Sequence, residues 1–188
     1  MLHPHIIATN NQRVLSFLAK FSDKEFYERQ VARRLGISYG SANRALNELF
    51  STGAVTRRRE GKMYFYSIDS STAAVIEFKK MINIMLIEPL VEELKKMSSR
   101  IVLYGSCALG TDTSESDLDL FVVSNSKEDV SNVISNLKFP MGYENIHIQA
   151  VIKTPVELLE TGESERAFIE EVDRGIVLWE RVASEPRV

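Results

Sequence analysis

Apolar residues follow two different spacings along the chain. Near the N-terminus Val14, Phe17, Leu18 and Phe21 stand at i, i+3, i+4 and i+7, one face of a helix that Asn10 or Asn11 can cap. A second helix fits Glu28 to Leu35, with Val31, Ala32 and Leu35 inward and Gly36 where a helix end tolerates positive φ. Ser38 can cap a third, from about Tyr39 to Thr52, which Gly53 stops. Its stripe of Ala42, Ala45, Leu46 and Leu49 turns Ser41, Arg44, Asn47 and Glu48 outward. The runs Val55 to Glu60 and Met63 to Ile68 read as strands, and Gly61-Lys62 between them as a tight turn.

Residues 71–98 are apolar on more than one helix face. Pro89 removes an intrahelical bond and crowds the preceding turn, so two helices are expected, 71–87 and 89–98. Such a segment packs between domains or forms a homodimer interface, and a regulator reading a palindromic site uses the second. Further on, Arg100 to Tyr104 is a short buried-strand run that ends at Gly105-Ser106. A polar stretch, Thr111 to Ser116, leads to Asp117 to Val123, which alternates with period two. Another strand fits Asn145 to Ile152.

Composition changes little in this picture: 44% apolar and 26% charged residues suit a folded soluble protein. No apolar run reaches the ~18 residues of a membrane span. The start, Met1 to His5, has no secretory pattern, so a cytoplasmic protein is expected. The single cysteine, Cys107, excludes a disulfide framework and a cysteine-based zinc site. Its place at a helix start can lower a thiol pKa, but a small apolar filler is the simpler role. His3 and His5 read as incidental, and the last residues, 183–188, as a tail.

Charge changes more. The net charge of −3 hides a division: residues 1–70 hold 11 Lys+Arg and 6 Asp+Glu, a balance of +5, and residues 71–188 hold 12 and 20, a balance of −8. Two helices joined by a Gly-containing turn, then a basic hairpin, resemble the winged helix-turn-helix domains of bacterial and archaeal regulators. The resemblance implies that double-stranded DNA meets the second of these helices through Tyr39, Ser41, Asn43, Arg44 and Asn47, and the wing through Arg57, Arg58, Arg59 and Lys62. A protein-interaction module remains the alternative for this fold.

The second half carries candidate chemistry. A Gly-Ser at a strand-to-helix turn leaves backbone N–H groups and a hydroxyl for phosphate oxygens. Asp117 and Asp119, two apart on a strand, share a face and can hold a hard divalent cation. Gly105-Ser106, ten residues, then Asp117-x-Asp119 resembles the signature of the DNA polymerase β-type nucleotidyltransferase superfamily, in its minimal branch. That resemblance implies that the turn holds a triphosphate, that the two aspartates bind Mg2+, and that a third Asp on a later strand activates the attacking hydroxyl. It covers roughly residues 98–180. Residues 155–159 and 168–178 resemble the branch's closing helices, which puts Trp179 on the last helix as a core anchor.

The later strand departs from the pattern. Its alternate positions include Gln149 and His147 instead of a carboxylate, with Gln149 the nearer equivalent. Turnover is then lost while an Mg-nucleotide (ATP by default) is still bound, or His147 supplies the base, or Glu144 approaches from the strand's start. The expected architecture is α+β: a winged helix-turn-helix over 1–70, a helical connector over 71–98 and a nucleotidyltransferase-like α/β domain with a small mixed sheet over 99–182. The expected function is a DNA-binding transcriptional regulator that binds a magnesium nucleotide. The alternatives are an active transferase, antitoxin-like, that passes NMP to a protein or small acceptor, and a binding module without nucleotide.

Overall fold

A computed structural model describes residues 6–160, 162 and 165–181. The His3/His5 pair and the 183–188 tail lie outside the described residues. Helix α1 (Asn10–Lys20) starts under Thr9, not under Asn10 or Asn11. Gln12 N donates to Thr9 Oγ1 at 3.3 Å and Thr9 N to Gln12 Oε1 at 2.9 Å, a reciprocal box that satisfies two open N–H groups at once. Asn11 instead donates across to Glu48 Oε2 at 2.6 Å.

Strand β1 (Phe26–Tyr27) leads into α2 (Glu28–Leu35). Gly36 closes α2 with φ 60, a left-handed backbone that a side chain would strain. Helix α3 (Tyr39–Ser51) is capped by Ser38, whose Oγ accepts from Ser41 N at 3.1 Å. β2 (Thr56–Glu60) and β3 (Met63–Ser67) form an antiparallel hairpin, and β1 joins it in the order β1-β3-β2. The fold of this part is a winged helix-turn-helix. Of the stripes read from the sequence, Val14/Phe17/Leu18, Val31/Ala32/Leu35 and Ala42/Ala45/Leu46/Leu49 are buried, and Phe21, just past the end of α1, is half-buried.

The connector departs from expectation. Helix α4 (Ala73–Leu94) runs unbroken through Pro89. Local physics opposes it by about 3 kcal/mol, from the lost bond and the ring clash. Leu86, Ile87, Leu90, Val91 and Leu94 around the proline are buried, at roughly 1.5–3 kcal/mol each, so packing outweighs the proline. Helix α4 lies against α1 on one side and against the second half on the other. One continuous apolar cluster therefore runs from Val14 through Leu86 to Tyr143.

The second half is β4 (Arg100–Tyr104), α5 (Gly105–Leu109), β5 (Leu118–Val123), α6 (Lys127–Ser135), β6 (Ile148–Lys153), α7 (Pro155–Leu159), α8 (Arg166–Asp173) and β7 (Ile176–Glu180). Its mixed sheet has the order β6-β5-β4-β7, with only β5 and β6 parallel. The expected closing helix over 168–178 stops at Asp173, and Trp179 sits on an edge strand opposite Ile101, half-buried. The cause is the open edge of β4 together with an Ile-Val-Leu-Trp run suited to a strand. Gly175 presses so close to β4 that a Cβ there would lie 2.5 Å from the Leu103 carbonyl. Helix α6 has no counterpart among the expected elements. The loop before β6 inserts Tyr143 into the winged helix, its ring stacked on Phe21 with centroids 6.0 Å apart.

Candidate functional site

The end of β4 and the start of β5 bring the two sequence signatures together. Tyr104 pairs with Asp119 across the antiparallel ladder, so the aspartate lies beside the Gly105-Ser106 turn. Gly105 has φ +67, and a Cβ on it would fall 2.5 Å from Asp119 Oδ2. Glycine is therefore required twice here, for the backbone conformation and for the space the carboxylate occupies. Asp117 is exposed, one residue ahead of the strand. Its carbonyl accepts from Cys107 Sγ at 3.2 Å, which ties the start of α5 to the aspartate pair.

Burial pushes the Asp119 carboxyl above the usual range, and the neighbouring charges of Asp117 and Glu171 push the same way. Glu171, on α8, is the acidic neighbour that sequence reasoning missed. Nothing in the spacing of Phe168 to Val172 pointed it at residues fifty positions earlier, because the fold of α8 over β4 places it there. Between the turn and α8 lies a cavity of about 450 Å3, lined among others by Gly105, Leu109, Glu170, Glu171 and Arg174.

The candidates for the third position separate clearly. Gln149 pairs in register with Asp119 on the parallel neighbour β6. His147 precedes that strand, and its carbonyl accepts from Leu118 N at 2.9 Å. Glu144 Oε2 accepts from Gly142 N at 2.9 Å, so that carboxylate braces its own turn. Among the described residues no three His, Cys, Asp or Glu side chains gather to hold a metal. A divalent cation would have two protein carboxylates, Asp117 and Asp119. Two hard oxygen ligands completed by substrate phosphates is the usual provision for Mg2+, so the donor set fits. Cys107 is fully buried, and burial pushes its thiol up to about 11, as a filler and not an activated thiol.

The duplex-facing candidates form a second surface. Tyr39 is 53% exposed at the start of α3, and Arg44 and Asn47 are exposed further along it. Asn47 Nδ2 donates to Asn43 O at 2.9 Å, and Ser41 shares the Ser38 cap at 2.9 Å between hydroxyls. Arg57 Nη1 donates to Asn47 Oδ1 at 3.2 Å, and its guanidinium lies over Phe50 and Tyr64 at 4.1 and 4.3 Å. Helix and wing are thereby joined through one pair. Arg58 differs: it points to the other face of β2 and holds Glu25 at 2.7 Å and Glu60 at 2.6 Å. Arg59 Nε donates to the Gly61 carbonyl at 3.1 Å, and Lys62 is exposed in the turn.

The sequence model of the nucleotidyltransferase domain matches residues 84–180, just over half of the chain. The chain belongs to the nucleotidyltransferase domain family. The match begins inside α4, which packs on β4. Similar solved structures include NolR from Sinorhizobium fredii, at 20% identity over 43% of this chain and 77% of that chain, with TM-score 0.34. The transcriptional regulator BldR from Sulfolobus solfataricus matches at 22% identity over 50% of this chain and 85% of its own, with TM-score 0.34. A candidate nucleotidyltransferase from Sulfolobus solfataricus matches at 18% identity over 56% and 87%, with TM-score 0.36. Among the described residues no helix is long and apolar enough to cross a membrane.

Proposed function

We propose that this member of the nucleotidyltransferase family is a regulator that binds double-stranded DNA through its winged helix and takes a magnesium nucleoside triphosphate as a ligand. The observation that carries the reading is the register of Gln149 beside Asp119. A neutral amide neither accepts the proton of an attacking hydroxyl nor adds the charge that two-metal transfer requires. The Gly105-Ser106 turn and the Asp117/Asp119 pair, by contrast, meet the needs of binding. Backbone N–H groups and the Ser106 hydroxyl address phosphate oxygens, and Asp117 and Asp119 would hold Mg2+ against them. When bound, the ion supplies neutralisation of the phosphate charge. On the DNA side, α3 presents Tyr39, Ser41, Asn43, Arg44 and Asn47 to base edges, and Arg57, Arg59 and Lys62 meet phosphates.

Thermal unfolding with and without Mg-ATP or the other Mg-NTPs tests the ligand. Wild type should be stabilised by about 2.7 kcal/mol at a hundredfold excess over Kd. Asp117→Ala with Asp119→Ala should lose that shift. An equal shift in the double variant refutes the site, and no shift in wild type supports the reading without nucleotide. One observation favours an active transferase. Glu171 lines the cavity beside Gly105 and its charge raises the Asp119 carboxyl, so it can serve as the base in place of the missing carboxylate. Incubation with labelled ATP, Mg2+ and protein or small-molecule acceptors decides between them. Label transfer by wild type that Glu171→Gln abolishes establishes the transferase. No transfer by wild type leaves the binding role.

A further inference from the structure

Beneath α5, closed off from solvent, two ammonium groups share one carboxylate. Lys20 of α1 and Lys79 of α4 are each 1% exposed, and Asp112, in the loop between α5 and β5, is 2% exposed. Lys20 Nζ donates to Asp112 Oδ2 at 2.7 Å, to Asn83 Oδ1 at 2.7 Å and to Cys107 Sγ at 3.8 Å. Lys79 Nζ donates to the Asp112 carbonyl and, at 3.3 Å, to Ser22 Oγ, with Asp112 Oδ1 a further 3.7 Å contact. Asn83 Nδ2 completes the set, donating to Cys107 O at 3.0 Å and to Asp112 Oδ1 at 3.2 Å. Lys20 thus makes three hydrogen bonds, and Lys79 two with an ion-pair contact beside them.

Two features of this cluster exceed what holding a core together requires. Apolar side chains of similar volume join helices at less desolvation cost than buried ions do. Furthermore, every bond that Lys20 and Lys79 make into the second half ends on Cys107 or Asp112. Both residues lie between Gly105-Ser106 and Asp117-x-Asp119, and Cys107 is bonded onward to Asp117 O.

We infer that Lys20 and Lys79, acting together through Asp112 and Cys107, are positioning residues by which the winged helix sets the geometry of the nucleotide turn, so that nucleotide and duplex binding are linked. The inference rests on the function proposed above. Helix α1 packs on α3, the helix that addresses DNA. A shift of α1 breaks the cluster as a unit, because a sealed charge that loses its partner is left uncompensated at high cost. A ligand that holds Ser106 and Asp117 in place therefore also holds α1. Linkage requires the reverse effect of equal size.

The test uses the full chain as wild type, Lys20→Met and Lys79→Met. Either variant leaves a neutral Lys–Asp pair, so one serves if the other does not fold. Asp23→Ala is the control. It removes an exposed contact between the same two parts, in which Ser114 Oγ donates to Asp23 Oδ2 at 2.6 Å. The Mg-ATP dissociation constant is measured by calorimetry with and without a mixed-sequence duplex. In wild type the duplex should change it by about tenfold, within the usual span of such couplings. The ratio should fall to near one in Lys20→Met or Lys79→Met and persist in Asp23→Ala. The same ratio in the lysine variants as in wild type overturns the inference while the proposed function stands. Hydrogen exchange without any ligand provides an independent arm. Amides of residues 105–118 should exchange severalfold faster in Lys20→Met while those of α3 do not change. Unchanged exchange at 105–118 overturns the positioning role whatever the ligands do. Faster exchange in a protein that binds neither Mg-ATP nor duplex refutes the function and keeps the positioning role.

Discussion

The molecule holds two groups of cationic side chains that look alike in the sequence and behave oppositely in the fold. The wing carries Arg57, Arg58 and Arg59, and its ion pairs, Arg58 with Glu25 and Glu60, are 40–64% exposed at the side chains. The interface beneath α5 carries Lys20 and Lys79, whose pairing with Asp112 is 0–2% exposed. In water the attraction of an exposed pair is screened and offset by side-chain entropy, so such a bond contributes little and exchanges readily. Arg58 can leave Glu25 for a phosphate. In the sealed site neither charge can leave without an uncompensated partner remaining behind. Exposed charge therefore suits a surface that must take up and release a polyanion, and buried charge suits a joint that must keep one geometry.

The largest expected effect breaks the buried side of the comparison. Asp112→Ala leaves two ammonium groups sealed without a counter-ion and should destabilise the protein by about 3–5 kcal/mol in urea unfolding. Both halves should unfold in one transition, since one apolar cluster spans them. A loss under about 1 kcal/mol would show that water reaches the cluster. On the exposed side, Arg59→Ala with Lys62→Ala should leave stability nearly unchanged. Duplex affinity should fall, with the slope of log K against log salt reduced by about one for each phosphate contact removed. A slope equal to that of wild type would remove these two residues from the interface. Smaller still, Glu25→Ala releases Arg58 from its bidentate partner and should tighten duplex binding slightly with no measurable change in melting temperature. Weaker binding would mean that the pair positions the wing. Finally, Cys107 should resist alkylation in native protein at pH 8. Burial pushes its thiol up to about 11, so only about one molecule in a thousand carries the thiolate there. Rapid labelling would show that the α5 region opens.

Much of the first half was legible because its signals are local. Helix faces come from spacings of three and four residues, and Ser38 and Gly36 act on the next turn of chain. The turn and the aspartate pair were legible for the same reason, since β4 and β5 need only a short connection to set Asp119 against Gly105. Errors appear where a local rule met a stronger distant one. Pro89 should end a helix, and α4 continues because its neighbours are buried on both sides. By local spacing Ile176 to Glu180 continue the helix before them, yet they pair with β4 because its edge is open.

By itself, then, the sequence determined the winged helix, the Gly105-Ser106 turn, the acidic pair and the absence of a carboxylate at position 149. It ranked Gln149 first for the third position, and the parallel register of β5 and β6 sets that residue beside Asp119. It did not determine that Glu171 would act on the same carboxylate, or that Lys20 and Lys79 would be buried. A lysine in an amphipathic helix reads as solvated, because a charge is sealed only when a partner meets it. The partners of Lys20 lie 63, 87 and 92 positions away. Caps and faces are decided within a few residues of chain, but the solvation of a charge depends on everything that packs around it.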